Sequence, residues 1–350
     1  WMEKNKNIVV NKDMEYFLNP DYINIRCNKV YVSKDEYVYK NQVIGDNLVS
    51  SVSGYVIDIA GGVVIIKNDY REYSKGSKIY KDNISIESIL KSCVNKKGLF
   101  DKFKSKSKFN NLVVNSLNDS LYVYNKVYLL KENMSDVLRL MNQLRLLYKI
   151  DNSVLVIKNN ECNTLDSCFN QLGSFPETNV CLVNDEYLLE NKEILLKKLK
   201  IDGDTLYLDV EELLELNDLL TGNVRSTKVI TISGDGIDKS LVMRVKKYSL
   251  LKEILLKYFV LDKDTDIIIN GLMTGYKVSN IDNVIIDENV ESINIMKHVE
   301  YSTSKCIKCG KCIRVCPFGV NILSGKNLKK CINCGLCSYV CPSHINLRRK

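Results

Sequence analysis

"CIKCGKCIRVCPFGVNILSGKNLKKCINCGLCSYVCPSHI" runs from Cys306 to Ile345 and holds eight of the thirteen cysteines of the chain. Cys306, Cys309, Cys312 and Cys316 are followed by Pro317, and Cys331, Cys334, Cys337 and Cys341 by Pro342. The run C-x2-C-x2-C-x3-C-P therefore occurs twice in forty residues. Thiolate tetrads also suit zinc, but a zinc site usually pairs two CxxC units. It needs neither a third cysteine two residues further on nor a proline-flanked fourth.

The doubled run is the bacterial two-cluster pattern, in which the fourth cysteine of each run serves the other cluster. On that pattern Cys306, Cys309, Cys312 and Cys341 hold one [4Fe-4S] cluster, and Cys331, Cys334, Cys337 and Cys316 hold the second. Gly310 and Gly335 supply the tight turns that a chain wrapping a cluster needs. A lone cluster can be a structural staple, whereas two adjacent clusters point to electron transport. Cys27, Cys93, Cys162, Cys168 and Cys181 show no metal spacing and read as buried free thiols.

The chain has 350 residues, 45% hydrophobic and 26% charged, enough for two to four domains with real cores. No apolar run approaches the roughly 18 residues of a membrane span, and no secretory leader opens the sequence. The expected location is the cytoplasm, where free thiols and oxygen-sensitive clusters survive, with a peripheral place on the inner face of the cell membrane as an extension of it. Trp1 before Met2 reads as an expression remnant and is set aside.

The formal charge of +8 needs correction, because each loaded [4Fe-4S] centre with four thiolates adds about −2, leaving about +4. Much of the excess is local: Lys305, Lys308, Lys311, Arg314, Lys326, Lys329, Lys330, Arg348, Arg349 and Lys350 surround the cysteine runs. They read either as a docking face for an acidic redox partner or as compensation for the clusters' own charge. No arginine-rich helix or aromatic stacking pattern accompanies them, so nucleic acid is not expected.

Upstream, Asn28 to Asn47 and Val49 to Asp69 alternate apolar and polar residues in short runs broken by glycine, the mark of short antiparallel strands. Val38 to Asp46 and Ser53-Gly54-Tyr55-Val56 read as a barrel-sandwich hybrid of the lipoyl-carrier type. Without a Met-Lys or Asp-Lys tip it is a structural barrel. From Ile84 to Gly222, "NLVVNS" (111–116), "SVLVIKN" (153–159), "NVCLVN" (179–184) and "TLYLDV" (205–210) alternate with helical stretches. One such helix is Met134 to Lys149, with apolar Val137, Leu138, Met141, Leu144 and Tyr148. That alternation predicts a parallel α/β layer. No glycine-rich strand-to-helix turn marks a nucleotide site in it. From Arg225 to Glu291, strands over 228–237, 240–249 and 266–279 with a helix over 250–259 have β-grasp character. Ser233-Gly234-Asp235-Gly236 is a turn signal, and weak as a phosphate cradle.

The order of these parts, with "TISGD" (231–235), "NGLMTG" (270–275) and "CGLCSYVCPSHINL" (334–347), resembles the RnfC family, peripheral cytoplasm-facing subunits of an ion-translocating electron-transport complex. The resemblance covers about Asp21 to Leu347. It implies a multidomain α+β chain: a barrel-sandwich hybrid at 21–75, a complex I flavoprotein-like α/β domain at 84–222, an SLBB-like β-grasp module at 223–291 and a dicluster ferredoxin domain at 298–350.

The chain departs from that family where its members hold FMN and nicotinamide. In place of a GGAGFPT stretch and an ECEP stretch, Ser88 to Lys126 has the single glycine Gly98. Asn115, Asn118 and Asp119 stand where the acidic stretch would be. Lys102, Lys104, Lys106 and Lys108 read as an alternating Lys/Ser solvated loop. Lys, Asp and Phe block the close backbone approach that glycine allows a phosphate, so FMN is not expected. The reading is an electron carrier rather than an NADH dehydrogenase. Its expected partner is an acidic redox protein: ferredoxin, flavodoxin or a complex subunit. Two alternatives stay open: an NADH-oxidising FMN-containing RnfC-type subunit, and an adaptor of a soluble amino-acid reductase.

Overall fold

The computed structural model describes residues 13–46, 48–75, 97–104, 108–118, 120–184, 186–262, 264–298 and 303–348. The expectations attached to Trp1, Cys93, Lys106, Asp119, Arg349, Lys350 and the span 84–96 fall outside them, as does the side chain of Cys168.

The first strand, β1 (Glu15–Phe17), joins a distant sheet and is taken up below. The alternating segment that follows folds into β2 (Tyr22–Arg26), β3 (Tyr37–Val38), β4 (Val43–Gly45), β5 (Leu48–Val49), β6 (Gly54–Ala60) and β7 (Val63–Asn68). Strands β2-β7-β6-β3 form an antiparallel sheet, and β4 pairs with β5. Period-two alternation drives Ile23, Ile25, Val38, Val56, Val64 and Ile66 into one core with Ile44 and Val52. Cys27 is buried in that core, and burial pushes its thiol up.

The α/β layer contains α1 (Lys97–Lys104), β8 (Asn111–Asn115), α2 (Asn125–Tyr148), β9 (Asn152–Lys158), α3 (Cys162–Leu165), β10 (Thr178–Val183), α4 (Lys192–Leu199), β11 (Thr205–Asp209) and α5 (Val210–Thr221). Its four strands are parallel in the order β10-β9-β8-β11. Leu112, Val114, Leu155, Ile157, Leu206 and Leu208 face α2 and α5. Val113, Val154 and Val156 face the other way, toward Leu195 of α4. Burial on both faces explains the near-continuous apolar runs of these strands.

Helix α2 starts nine residues before the periodic stretch at Met134. Asn133 leaves the helical region (φ −125°, ψ 24°), and its Nδ2 donates to the Leu129 carbonyl at 2.8 Å. The kink divides the helix into two pieces with different apolar faces, so only the second piece shows one clean period.

The last sheet takes β12 (Thr227–Ser233), β13 (Leu241–Lys246), β14 (Thr265–Ile269), β15 (Tyr276–Val278) and β16 (Ser292–Lys297), with α6 (Leu251–Tyr258) between β13 and β14. The order is β1-β13-β12-β16-β14-β15, with β12 parallel to β16 at the centre and β1 parallel to β13 at the edge. Leu251, Ile254 and Leu255 of α6 pack with Ile230, Ile232, Ile269, Ile293 and Ile295. On the opposite face Val229 and Val242 join the core around α2. That junction is sewn by polar bonds. Thr231 Oγ1 donates to Asn125 Oδ1 (2.7 Å), Asn125 Nδ2 to the Glu291 carbonyl (2.8 Å) and Ser233 Oγ to the Tyr122 carbonyl (2.8 Å). The run 266–279, read as one strand, is two strands joined by the 270–275 loop. Among the described residues no helix is long and apolar enough to cross a membrane.

Candidate metal centre

The cysteine segment is an internal repeat of 25 residues, visible in its backbone as well as its spacing. Lys308 and Asn333 (φ 54° and 58°), Gly310 and Gly335 (72° and 83°), and Gly319 and His344 (63° and 52°) pair at that offset, and all six lie in the left-handed region. Each left-handed glycine opens a one-turn helix, α7 (Lys311–Arg314) or α8 (Leu336–Tyr339), that carries the third cysteine of its run. The same turns thus present two equivalent thiol sets, and backbone N–H groups point at sulfur. Lys308 N–H donates to Cys306 Sγ and Val320 N–H to Cys316 Sγ, both at 3.4 Å.

Cys312, Cys316, Cys331, Cys334 and Cys337 line one cavity, walled by Phe318, Val320 and Ile322. The third and fourth cysteines of the first run thus stand with the three leading cysteines of the second. For the complementary set, Ser304 N–H donates to the Ser343 carbonyl (3.1 Å) and Ser343 Oγ to the Lys305 carbonyl (3.1 Å). These bonds hold the chain before Cys306 against the chain after Cys341. Among the described residues no three ligand side chains converge as a single ion would require. Thiols gathered from both runs around a cavity suit a polynuclear centre, which takes one thiolate at each iron. Burial first, then the neighbouring thiols, push the Cys334 thiol up, and burial does the same at Cys337. Loading with metal must drive these protons off. Cys162 and Cys181, outside the repeat, are free and half-buried.

The second run is fastened to the rest of the molecule by residues that the spacing could not reveal. Tyr187, after β10, donates its hydroxyl to the Cys334 carbonyl at 2.6 Å. Gly335 packs so tightly on the 270–275 loop that a Cβ there would lie 2.5 Å from the Met273 carbonyl oxygen. The Arg348 guanidinium donates to the carbonyls of Thr274 (2.6 Å) and Gly275 (3.1 Å). The 270–275 segment reads in the sequence as part of one strand, and nothing about Tyr187 or Arg348 there distinguishes them from other surface residues.

In the parallel sheet the strand order reverses between β8 and β11, where folds of this kind bind ligands beyond the carboxyl ends of the strands. That edge carries its own charges. Asp209 and Glu212 form a capping box at the start of α5 (2.8 and 2.9 Å). Lys126 Nζ lies 3.1 Å from Asp209, and Lys102 Nζ lies 2.6 Å from both Glu212 oxygens. Burial raises the Asp209 carboxyl, but the Lys126 ammonium and the Glu212 N–H outweigh it and hold the group below the usual carboxylate range. Lys102 therefore sits on a helix with an ion-pair partner, where a solvated loop was expected. Leu99 and Phe103 of the same helix, buried in the core, explain why this turn orders. At the start of α2, the N–H groups of Tyr124 and Lys126 are taken by Thr231 Oγ1 and Asn118 Oδ1 (both 3.0 Å). Two carboxylates thus stand at the start of α5, each paired with a lysine.

Residues 256–349 match the family model described as a 4Fe-4S dicluster domain, a span that begins inside α6 and includes both cysteine runs. None of the curated proteins matches the chain. Among solved structures, the chain is similar to an NAD+-reducing [NiFe]-hydrogenase in its air-oxidised state: 10% identity, TM-score 0.47, 64% of this chain and 52% of that one. The same kind of hydrogenase in the H2-reduced state gives 11% identity, TM-score 0.46, and 62% and 48% coverage. The chain thus spans about half the length of the solved structures it matches. The C-terminal segment is of the 4Fe-4S dicluster type, set on a mixed α+β body with several sheets.

Proposed function

We propose that this chain is an RnfC-like electron-transfer protein that passes electrons through two [4Fe-4S] clusters to or from an acidic redox partner, without a working FMN or NADH site. The observation that carries the reading is the twofold repeated thiol set, with Cys312 and Cys316 of the first run in one cavity with Cys331, Cys334 and Cys337 of the second. The clusters would supply reversible one-electron chemistry. The chain's own residues hold the thiolates in place, aim N–H groups at them and exclude water on the side of Phe318, Val320 and Ile322. The partner is a ferredoxin, a flavodoxin or an acidic subunit of a peripheral membrane complex on the cytoplasmic side.

The finer domain reading has support from topology. With β12 to β16 numbered 1 to 5, the order 2-1-5-3-4 with one helix across the face supports a β-grasp, SLBB-like module. The parallel sheet supports a flavoprotein-like α/β domain, and β2 to β7 support a barrel-sandwich hybrid. The NADH-oxidising alternative has one observation on its side: Asn118 Nδ2 and Ser120 Oγ are buried beyond β8 without a hydrogen-bond partner. Anaerobic purification with iron, sulfide and flavin quantified separates the readings. About eight irons per chain and no flavin are expected. One flavin per chain with NADH turnover would promote the alternative, and zinc or a single cluster would sink both.

A further inference from the structure

The two halves of the repeat are equivalent in backbone but not in surroundings. In the second run, the Cys334 carbonyl accepts from Tyr187 of the body, at 2.6 Å. Its counterpart in the first run, the Cys309 carbonyl, accepts from Arg314 of the same run, at 3.1 Å. Gly335 is pressed on Met273, whereas a Cβ at Gly310 would meet nothing closer than the tip of Arg314 at 3.2 Å. Among the described residues no hydrogen bond or ion pair joins residues 303–316 to the sheets, and Cys306 itself is exposed. Ile307 is 66% exposed against 44% for its counterpart Ile332.

Charge adds a local difference: Lys308 and Lys311 stand where the second run has Asn333 and Leu336, although Lys326, Lys329 and Lys330 are also exposed before Cys331. No Asp or Glu occurs after Glu300, and Lys305, Lys308 and Lys311 are exposed around Cys306 without an ion-pair partner among the described residues. A cationic, partly apolar surface beside an exposed ligand offers a partner both steering and a short path to the metal centre. The second run offers no such approach on the side that Tyr187, Met273 and Arg348 cover.

On the reading proposed above, we infer that the redox partner docks on the first half, over Cys306 to Lys311, and that the Cys331 half is the inner station. The partner this surface fits is a small acidic redox protein that presents carboxylates around its own centre. One electron leaves the reduced partner and one enters the chain, with no proton or group transferred.

The test uses the loaded full chain and photoreduced flavodoxin as probe, with the second-order rate followed by stopped flow at low and high salt. Lys308→Glu with Lys311→Glu is compared with Lys329→Glu with Lys330→Glu, which changes the formal charge equally but beside Cys331. The first pair should slow association about tenfold at low salt and the second less than about twofold, with iron content and EPR signal unchanged in both. An equal loss in the two pairs, or a larger loss in the second, would overturn the assignment. Binding to phosphatidylglycerol vesicles that the first pair abolishes, with the flavodoxin rate untouched, would assign the surface to a lipid instead. A wild-type chain lacking eight irons would fail the proposed function itself, whereas a loaded wild type that exchanges no electrons with flavodoxin fails the docking inference.

Discussion

Cys309 and Cys334 occupy equivalent places in the repeat, yet one carbonyl is bound by Arg314 and the other by Tyr187. Tyr187→Phe leaves the thiols alone and removes one donor from a half-buried carbonyl, a loss of about 1–3 kcal/mol. The expected result is full iron content with a lower denaturation midpoint and faster amide exchange around Gly335; unchanged exchange there would mean that the contact carries no energy. The crossed ligand sets make a second prediction at this scale. Cys341→Ser should remove the EPR signature of the cluster containing Cys306, and Cys316→Ser that of the other. If each substitution damaged the cluster of its own run, the crossed ligation would be wrong.

At the scale of elements, the two glycines that open α7 and α8 face different demands. Both are left-handed, so alanine at either costs about 1 kcal/mol of backbone strain. Gly335→Ala also drives a Cβ toward the Met273 carbonyl, and backbone cannot swing away as the Arg314 side chain can. Gly335→Ala should therefore lose markedly more stability than Gly310→Ala in urea titrations, and equal losses would refute the tight seating. The start of α5 carries a prediction about acid. Asp209 is held below its ordinary range in the fold, so its contribution is present above the unfolded-state value and is lost as pH falls through the folded one. Asp209→Asn should flatten the acid limb of the stability curve below about pH 4. Lys126→Met, which leaves that carboxylate unpaired, should cost about 3 kcal/mol at neutral pH.

For the whole molecule, a basic C-terminal segment rides on a body that contains most of the carboxylates. Loading two clusters should lower the net charge from +8 to about +4, measurable as a shift in electrophoretic mobility between the apo and loaded chains. The same arithmetic would show no shift for a chain that takes up no cluster. Partner association should weaken with salt, since exposed lysines are screened over about 8 Å at physiological ionic strength.

The cysteine spacing by itself determined that the thiols form a doubled run, because covalent spacing and left-handed turns at Gly310 and Gly335 are local properties that survive in any fold. Short apolar, β-rich runs likewise determined the strands within 111–116, 153–159, 179–184 and 205–210, since burial on two faces leaves its mark in composition. Helix α2 was legible only from Met134, because the kink at Asn133 and the bonds of Asn125 to Thr231 and Glu291 belong to a contact with a sheet a hundred residues away. Only the tertiary structure decided that Lys102 pairs with Glu212 and that Tyr187 and Arg348 clamp one half of the repeat. A lone tyrosine or arginine acquires such a role from the geometry of its partner, and long-range partners leave no period or spacing in the chain that bears them.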